Sequence, residues 1–460
     1  MRAYLRSLNP RLPRDVWILQ GGGLANSFGN GIVIPFVIIY LHNVRGISLG
    51  VAGLVAAAGS ATALVSGFVA GALADRIGPR VVLGSALLVQ ASAMAFFPLI
   101  HVAWQAFLLN GLLGFGSGAF WPSQSSLLTG LSPANRRHAA FALQRVTMNL
   151  GVAFGGLVGG LIASSSHPRS FTVLFLADAC TFVAYAVVLF RLSPAPARQG
   201  RDVGSYRQVI RDRAFMSYVL LNTLLIAAGM SVVVELMPAF AKNEAGVSET
   251  GIGILWFVNS LVIVIAQLPL ARLVEGRRRM RVLAAMALLW AAALLGFGAA
   301  GYWLDAAVAT AAMGAVTAVF AVGECLHGAI AGPIAADLAA PGLMGRYMAL
   351  SSQSWQIGWI VGPAAGGFLL QHDPFALWPV MAGVSVIAAG WALGLERLLP
   401  ESVRRTPHVE SLAGVGGTMP NMAPTTEEPL STDAKPAPHP ADEASRIRGG
   451  GRPAPGTARR

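Results

Sequence analysis

The amino-acid sequence predicts an all-α membrane protein with twelve transmembrane helices, arranged as two six-helix pseudo-repeats. Three observations lead to this prediction. Of the 460 residues, 55% are hydrophobic and only 12% are charged, which is about half the charged share of a soluble domain. The apolar residues form about twelve blocks, each near the ~20 residues that a helix needs to cross hydrocarbon. The arginines are concentrated in every second gap between blocks.

The order of the blocks divides the chain into five parts. The longest polar gap between blocks covers 192–213, and six blocks lie on each side of it. After residue 400 the chain is rich in Pro, Gly, Thr and charge without an apolar period, which is typical of disorder. We therefore expect a cytoplasmic N-terminal segment over 1–14, followed by an N-terminal bundle over 15–191 and a cytoplasmic linker over 192–213. A C-terminal bundle over 214–400 and a disordered cytoplasmic tail over 401–460 complete the chain.

The distribution of charge predicts the orientation of the helices. The Arg-rich gaps, such as those with Arg76/Arg80 and Arg136/Arg137, should be cytoplasmic together with both termini. This explains the net charge of +12 better than nucleic-acid binding does, since the basic residues form no single patch. Cys180 and Cys325 each lie within an apolar block, so neither a disulfide framework nor a metal site is expected. A soluble protein with many buried helices is the alternative, and the block lengths disfavour it.

A short charged turn separates the second and third apolar blocks. Charged residues at a membrane face suit a latch that holds the two halves together on the cytoplasmic side in one access state. The alternative is a purely topogenic role for the arginines. We also expect its glycines to allow close approach of helix ends. The turn carries Gly71, Asp75, Arg76, Gly78 and Arg80.

Two glycine ladders repeat between the halves of the chain. Glycines four residues apart lie on one helix face and let two helices approach closely, so no substrate role is needed to explain them. The ladders consist of Gly151, Gly155 and Gly159 in the fifth block, and Gly358, Gly362 and Gly366 in the eleventh.

These features resemble the major facilitator superfamily. The charged turn matches its signature Gly-x-x-x-Asp-Arg-x-Gly-Arg-Arg except at Pro79, and the likeness covers roughly residues 15–400. The fifth block resembles the glycine motif of the drug:proton antiporter branch, with Gly156 where proline is usual. Asn110 stands where that branch has an arginine in the fourth helix. The resemblance implies a central cavity lined by the first, fourth, seventh and tenth helices.

Ionisable residues at bilayer depth are candidates for proton coupling, because a charge there costs at least ~3 kcal/mol on insertion scales. Glu324 and His327 are three apart on one predicted helix, and we expect them to contact each other and share a proton. Glu235 could bind a proton and a cationic substrate in turn, or be an interfacial carboxylate. For Asp178 a structural role is preferred, paired with Arg145 or with hydroxyl groups of the fifth block.

Polar and aromatic residues within the blocks complete a predicted cavity lining. A mostly apolar pocket with a few polar groups suits an amphiphilic organic molecule better than a sugar. For any single residue, hydrogen bonding between helices is the alternative. Arg145 could take over part of the role of the missing arginine. The candidates are Asn26, Asn30, Asn110, Trp121, Gln124, Arg145, Asn149, Asn222, Asn259, Gln353, Trp355 and Gln356, with Gln20 and Gln267 as further polar positions.

The sequence thus predicts a monomeric, multi-pass transporter of the cell (inner or plasma) membrane. We expect proton-coupled efflux of amphiphilic small molecules, as in multidrug exporters, by alternating access between the two halves. One alternative is a metabolite or amino-acid facilitator, and another is a non-transporting sensor or partner-binding protein. No phosphate-binding loop ending in Lys-Ser/Thr and no nucleophile elbow is present, so we expect no enzyme and no cofactor.

Overall fold

A computed structural model describes residues 12–133, 136–192, 206–340 and 343–406, without the side chains of Ala72, Asp75 and His138. Within these residues the regular structure is helical, apart from one isolated antiparallel bridge between Arg278 and Arg405. Residues 1–11 and 407–460, including nearly all of the predicted tail, lie outside the described part.

Twelve long helices are found in the described part, six on each side of the linker. The first six, the N-half, are α1 Arg14–Val44, α2 Leu49–Ile77, α3 Pro79–Phe96, α4 Ala103–Leu131, α5 Arg137–Ile162 and α6 Arg169–Leu189. The C-half comprises α7 Arg213–Glu235, α8 Glu249–Leu273, α9 Arg279–Trp303, α10 Ala306–Asp337, α11 Met344–His372 and α12 Leu377–Leu395. Short helices cover Tyr206–Arg211, Met237–Asn243 and Glu401–Arg404.

Ten of the twelve helices have the length and apolar composition to cross a membrane, among the residues described. The other two, α4 and α11, are 29 residues each and therefore long enough. They fall short in composition because both are rich in glycine and uncharged polar residues. The predicted helix pattern is therefore confirmed, with α4 and α11 as its most polar members.

The two halves repeat one packing scheme. In the N-half, α1 packs on α5 and α6, α3 packs on α4 and α6, and α2 packs on α4. The C-half repeats all five pairs, with α7 on α11 and α12, α9 on α10 and α12, and α8 on α10. The halves meet where α2 packs on α11 and α5 packs on α8, a contact surface that we call the seam.

The first helix of each half is irregular. Both α1 and α7 contain a π-helical turn, at Tyr40–Val44 and Ile226–Met230. A 3₁₀ turn with Pro35 interrupts α1, and α7 stops at Glu235, just before Pro238. Proline removes a backbone donor and clashes with the preceding turn, so each helix breaks there.

The seam is closed at one end of the molecule and open at the other. At the closed end Gly50 of α2 contacts α11, and Gly160 of α5 contacts α8. Residues eighteen apart complete about five helical turns and therefore share a face. Phe68 and Ala142, eighteen residues further along the same faces, are both exposed. The halves therefore diverge toward the open end.

The segment after α12 is ordered at its start. Glu401–Arg404 is helical, and Thr406 exchanges backbone hydrogen bonds of 3.1 Å with Gly276 and Arg277 in the α8–α9 turn. The prediction of disorder from residue 401 is therefore wrong for residues 401–406. Composition alone does not reveal that this segment forms backbone hydrogen bonds with the α8–α9 turn.

Candidate functional site

Glu324 lies half-buried on α10, beside α8. Its carboxylate Oε2 accepts a hydrogen bond of 2.8 Å from Asn259 Nδ2. Asn259 is itself half-buried, so this carboxylate–amide pair is not sealed within the bundle. Two predicted site residues are thus brought together on neighbouring helices.

His327 is directed away from Glu324. Its Nε2 lies 2.8 Å from Asn222 Oδ1 on α7, and its ring contacts Trp290 and Trp355 at centroid distances of 5.8 and 5.4 Å. Asn222 also donates to Ser354 Oγ at 2.7 Å. His327 and Asn222 are only 1% exposed. They form a hydrogen-bonded core that joins α7, α10 and α11.

The predicted contact between Glu324 and His327 is therefore wrong, and the rotation of α10 explains why. Residues four apart on a helix share a face more closely than residues three apart. Gly323 and His327 both contact Trp290 of α9, whereas Glu324 and Gly328 face α8 and α5. In the described part of the chain no hydrogen bond joins the Glu324 and His327 side chains.

Arg145 reaches from α5 across the seam to the same region. Its Nη2 donates to Gln267 Oε1 on α8 at 2.8 Å, and Gln267 Nε2 donates to the Cys325 carbonyl of α10 at 3.3 Å. A Cβ at Gly328 would lie 2.8 Å from Arg145 Nη2, so the guanidinium rests directly on α10, one turn from Glu324. Arg145 therefore brings a positive charge from the opposite half to within one helical turn of Glu324. Asn149 donates to the Arg145 carbonyl at 2.8 Å within α5.

Among the described residues, Asp178 pairs neither with Arg145 nor with a hydroxyl group of the fifth block, so both predicted pairings are wrong. It is fully buried on α6, and its Oδ1 accepts a hydrogen bond of 3.2 Å from Thr181 on the same helix. The carboxylate fits against Gly29 of α1, where a Cβ would overlap Oδ1. Asp178 therefore belongs to the contact between α1 and α6, away from the seam.

Glu235 lies half-buried at the end of α7. The segment Ser231–Glu235 packs against Ile34–Phe36, the interrupted part of α1 in the other half. Among the residues described, the Glu235 carboxylate has no hydrogen-bond or ion-pair partner. It is therefore a second acidic group at a contact between the halves, nearer the closed end than Glu324.

The remaining predicted lining residues differ in their surroundings. Asn110 Nδ2 donates to the Val55 carbonyl at 2.6 Å and joins α4 to α2, which is a packing role. Gln124 bonds Tyr185 and Gln144 within the N-half, at 3.0 and 2.8 Å. Asn26 is buried with Oδ1 unpartnered in the described part. Asn30, Gln353, Trp355 and Gln356 are half-buried, and Trp121 is exposed.

Arg80 of the charged turn acts within the N-half. Its Nη1 and Nη2 donate to the carbonyls of Leu192 and Phe190, each at 2.7 Å, and so cap the C-terminus of α6. Gly78 has φ of 90°, a conformation that favours glycine, but a Cβ at Gly78 would meet open space, as it would at Gly71. The predicted close approach of helix ends at these two glycines is therefore wrong, and Gly78 is needed for its backbone conformation instead. Arg76 is exposed, the Asp75 side chain is outside the described part, and the latch between halves stays a prediction.

Arg80→Ala is expected to lower the free energy of unfolding by about 1–2 kcal/mol, because two charge-assisted hydrogen bonds to partly exposed carbonyls are lost. Arg80→Lys should retain part of this stabilisation. Unfolding of the purified protein in mixed detergent–SDS micelles measures the change. Arg76→Ala is the matched control in the same turn, and an equal loss for both variants would contradict the capping role.

The glycine ladders of α5 and α11 pack against the first helix of each half, α1 and α7. The Cα atoms of Gly151, Gly155 and Gly159 approach the carbonyls of Leu24, Phe28 and Ile32 on α1, and a Cβ at Gly159 would stand 2.6 Å from the Ile32 oxygen. Gly358 and Gly362 likewise lie against the backbone of α7 at Ala227, whereas Gly366 lies against the side chains of Val232 and Leu236. The adjacent residues face the seam, which the sequence reasoning missed: Gly156 and Gly160 contact α8, and Gly367 contacts α2.

The described residues contain no cluster of three or more His, Cys, Asp and Glu side chains that could hold a metal ion. The site consists of the half-buried carboxylate of Glu324 and its amide partner Asn259 on the C-half, together with the guanidinium of Arg145 from the N-half. Such a site can hold a proton or an ion in a space whose access changes when the halves move.

Comparison with known proteins places this architecture in a family. The family model described as Major Facilitator Superfamily matches residues 21–318 and 219–441. The uncharacterized MFS-type transporter YqjV of Bacillus subtilis is 26% identical over 384 residues, covering 81% of this chain and 91% of that protein. The multidrug resistance protein MdtH of Cronobacter sakazakii is 27% identical over 348 residues, covering 73% and 83%.

A solved structure shares the fold. The crystal structure of a D-xylose–proton symporter superposes with a TM-score of 0.68 at 16% identity, covering 85% of this chain and 98% of that one. Together with the repeated six-helix halves and the family match, this establishes a membrane-spanning transporter rather than an enzyme. The chain belongs to the Major Facilitator Superfamily.

Proposed function

We propose that this transporter exports amphiphilic small molecules in exchange for protons, by alternating access between the N-half and the C-half. The observation that carries the proposal is Glu324, a half-buried carboxylate bonded only to Asn259 in the described part and faced by Arg145 from the other half. This is the place where a proton and a substrate would compete.

The physical argument for a proton rests on depth and partners. An ionised carboxylate within the hydrocarbon span costs about 3 kcal/mol or more, so such residues are retained for a function. The Asn259 amide supports Glu324 without neutralising it. Arg145 supplies the opposing charge from across the seam, so the stability of the ionised carboxylate depends on how closely the halves approach. Proton occupancy and the access state are therefore coupled.

The class of substrate follows from the side chains along the seam. Half-buried Trp256 and Phe257 lie on α8, the helix of Asn259, and Phe257 contacts Phe154 of α5 at a centroid distance of 5.8 Å. Such a lining binds an apolar body and orients it with one or two polar contacts. The relatives that carry the name multidrug resistance protein support the same class.

The orientation in the membrane is inferred from the charged turns. The Arg-rich turns, with Arg76, Arg136/Arg137 and Arg277/Arg278, lie at the open end, and the positive-inside rule assigns that end to the cytoplasm. We accordingly infer a location in the cell membrane with both termini cytoplasmic and the open end of the seam facing the cytoplasm, and we propose that the protein functions as a monomer.

Reconstitution in proteoliposomes tests the function. With an imposed proton gradient, wild-type protein should drive uphill movement of lipophilic dyes, and an added protonophore should abolish that movement. Downhill flux of amino acids or sugars that does not respond to the protonophore would favour the facilitator alternative. Absence of flux for every compound would favour the non-transporting alternative and overturn the proposal.

A further inference from the structure

The closed end of the seam is built from two helix crossings that the internal repeat relates. In one, Gly53 of α2 lies against Gly367 and the Pro363 carbonyl of α11. In the other, Gly253 of α8 lies against Gly160 and the Gly156 carbonyl of α5, and a Cβ at Gly253 would stand 2.5 Å from that oxygen. Backbones thus touch directly at both crossings, which requires glycine.

Each crossing carries a polar contact one turn nearer the closed end, and the two contacts differ in charge. At the α2–α11 crossing, Gln371 Oε1 accepts from the Gly50 backbone N–H at 2.9 Å, a neutral hydrogen bond. At the α5–α8 crossing the acceptor is the carboxylate of Glu249. Its Oε1 accepts from the backbone N–H and the hydroxyl of Ser165, at 2.9 and 2.7 Å.

Glu249 is held in place by its own half. Lys242 Nζ lies 2.9 Å from Glu249 Oε2, and both residues belong to the C-half. The residue is only 8% exposed, and it lies in the first turn of α8, where the helix dipole favours a negative charge. Ser165, in the turn between α5 and α6, belongs to the N-half. The hydrogen bonds to Ser165 therefore cross the seam, and the ion pair with Lys242 does not.

We propose that Glu249 locks the closed end of the transporter, and that breaking its two hydrogen bonds to Ser165 is a required step of the transport cycle. The inference rests on the alternating-access function proposed above. When the halves separate at this end, Ser165 moves away with the N-half and Lys242 remains with Glu249. The ion pair keeps the carboxylate from being left unpaired, so the lock can open and close reversibly.

The charge makes this contact stronger than its neighbours. Hydrogen bonds to an ionised acceptor are roughly twice as strong as neutral ones. The other hydrogen bonds that join the two halves at this end are neutral in the described residues: Asn43 to Asn243 at 2.6 Å, Thr250 to the Gly160 carbonyl at 3.0 Å, and Gly50 to Gln371. Glu249 therefore contributes most of the polar stabilisation of the closed end and sets how often it opens.

A cross-linking assay on the full chain tests the lock without any substrate. In a background with Cys180→Ser and Cys325→Ser, the pair Asn43→Cys and Asn243→Cys reports closure, since both side chains are exposed and join the two halves at the closed end. The rate of copper-phenanthroline oxidation to the disulfide measures the closed population. The melting temperature of each variant in detergent is measured in parallel.

Glu249→Gln should slow disulfide formation about tenfold, the effect expected from weakening charge-assisted hydrogen bonds. Ser165→Ala should slow it less, because the backbone N–H still donates. Ser164→Ala is the matched control: its hydroxyl bonds Ser166 and His167 within the N-half, so the rate should not change. The melting temperatures of Ser165→Ala and Ser164→Ala should agree.

A wild-type rate for Glu249→Gln would overturn the lock, as would equal rates for Ser165→Ala and Ser164→Ala. If Glu249→Gln does not fold, the comparison of the two serine variants decides the question. Proton-driven dye efflux by the wild-type protein is a separate measurement. Its absence would contradict the proposed function even where the cross-linking results support the lock.

Discussion

Replacement of Glu324 by glutamine is expected to abolish proton-driven efflux while leaving the protein folded. Glutamine has nearly the same shape and keeps an oxygen that can accept from Asn259 Nδ2, so the contact between α8 and α10 survives. The variant cannot release or bind a proton at this position. Gradient-driven efflux should fall by at least about a hundredfold, the range for removing a group that transfers protons.

Downhill exchange of substrate should continue in Glu324→Gln, because the halves can still move without a proton cycle. Comparing uphill with downhill transport of one dye in proteoliposomes separates loss of coupling from loss of binding. Retention of wild-type uphill transport would remove Glu324 from the coupling mechanism. Asn259→Ala should have a smaller effect, since it leaves the carboxylate in place.

Asp178→Asn is the matched control for this experiment. It makes the same chemical change at another buried carboxylate of a transmembrane helix, one that bonds Thr181 at the contact of α1 with α6. We expect uphill transport close to that of the wild-type protein, with any effect limited to the melting temperature. Equal loss of coupling in both variants would place Asp178 in the proton pathway, contrary to its position away from the seam.

The helices and their repetition could be predicted from the sequence because the bilayer leaves few alternatives. Every backbone polar group must be paired within a spanning segment, so long apolar blocks become helices whatever their side chains. The breaks at Pro35 and Pro238 are likewise visible, because proline acts locally. The repeat of Gly151, Gly155 and Gly159 in Gly358, Gly362 and Gly366 indicated two halves of similar build.

The partners of the polar side chains could not be predicted, because they depend on how each helix is rotated. Glu324 and His327 differ in direction by about 60° around α10. Contact of Gly323 with the ring of Trp290 on α9 sets that rotation. With α10 turned in this way, His327 contacts Asn222 and Glu324 contacts Asn259. The bond between Glu249 and Ser165 was missed for a similar reason, since its two residues are 84 positions apart and lie in different halves.

Gly155→Ala is expected to destabilise the protein strongly, in contrast to the usual effect of alanine in a helix. A Cβ at Gly155 would overlap the Phe28 carbonyl oxygen and lie 2.9 Å from Gly31 Cα. These are backbone atoms, which cannot move aside without separating α1 from α5. We expect the free energy of unfolding to fall by about 1–3 kcal/mol, the range for an overfilled core, and the melting temperature to fall with it.

Gly84→Ala in α3 is the matched control for the ladder, because a Cβ there would meet no atom within 4 Å. Alanine should be neutral or stabilising at this position, by up to about 1 kcal/mol, since it restricts the unfolded backbone. The repeat supplies a second test: a Cβ at Gly362 would overlap the Ala227 carbonyl of α7, so Gly362→Ala should resemble Gly155→Ala. Melting temperatures measured by scanning fluorimetry compare the three variants. Equal melting temperatures for Gly155→Ala and Gly84→Ala would mean that α1 and α5 are not in backbone contact. The N-half would then lack the tight packing that lets it move as one body.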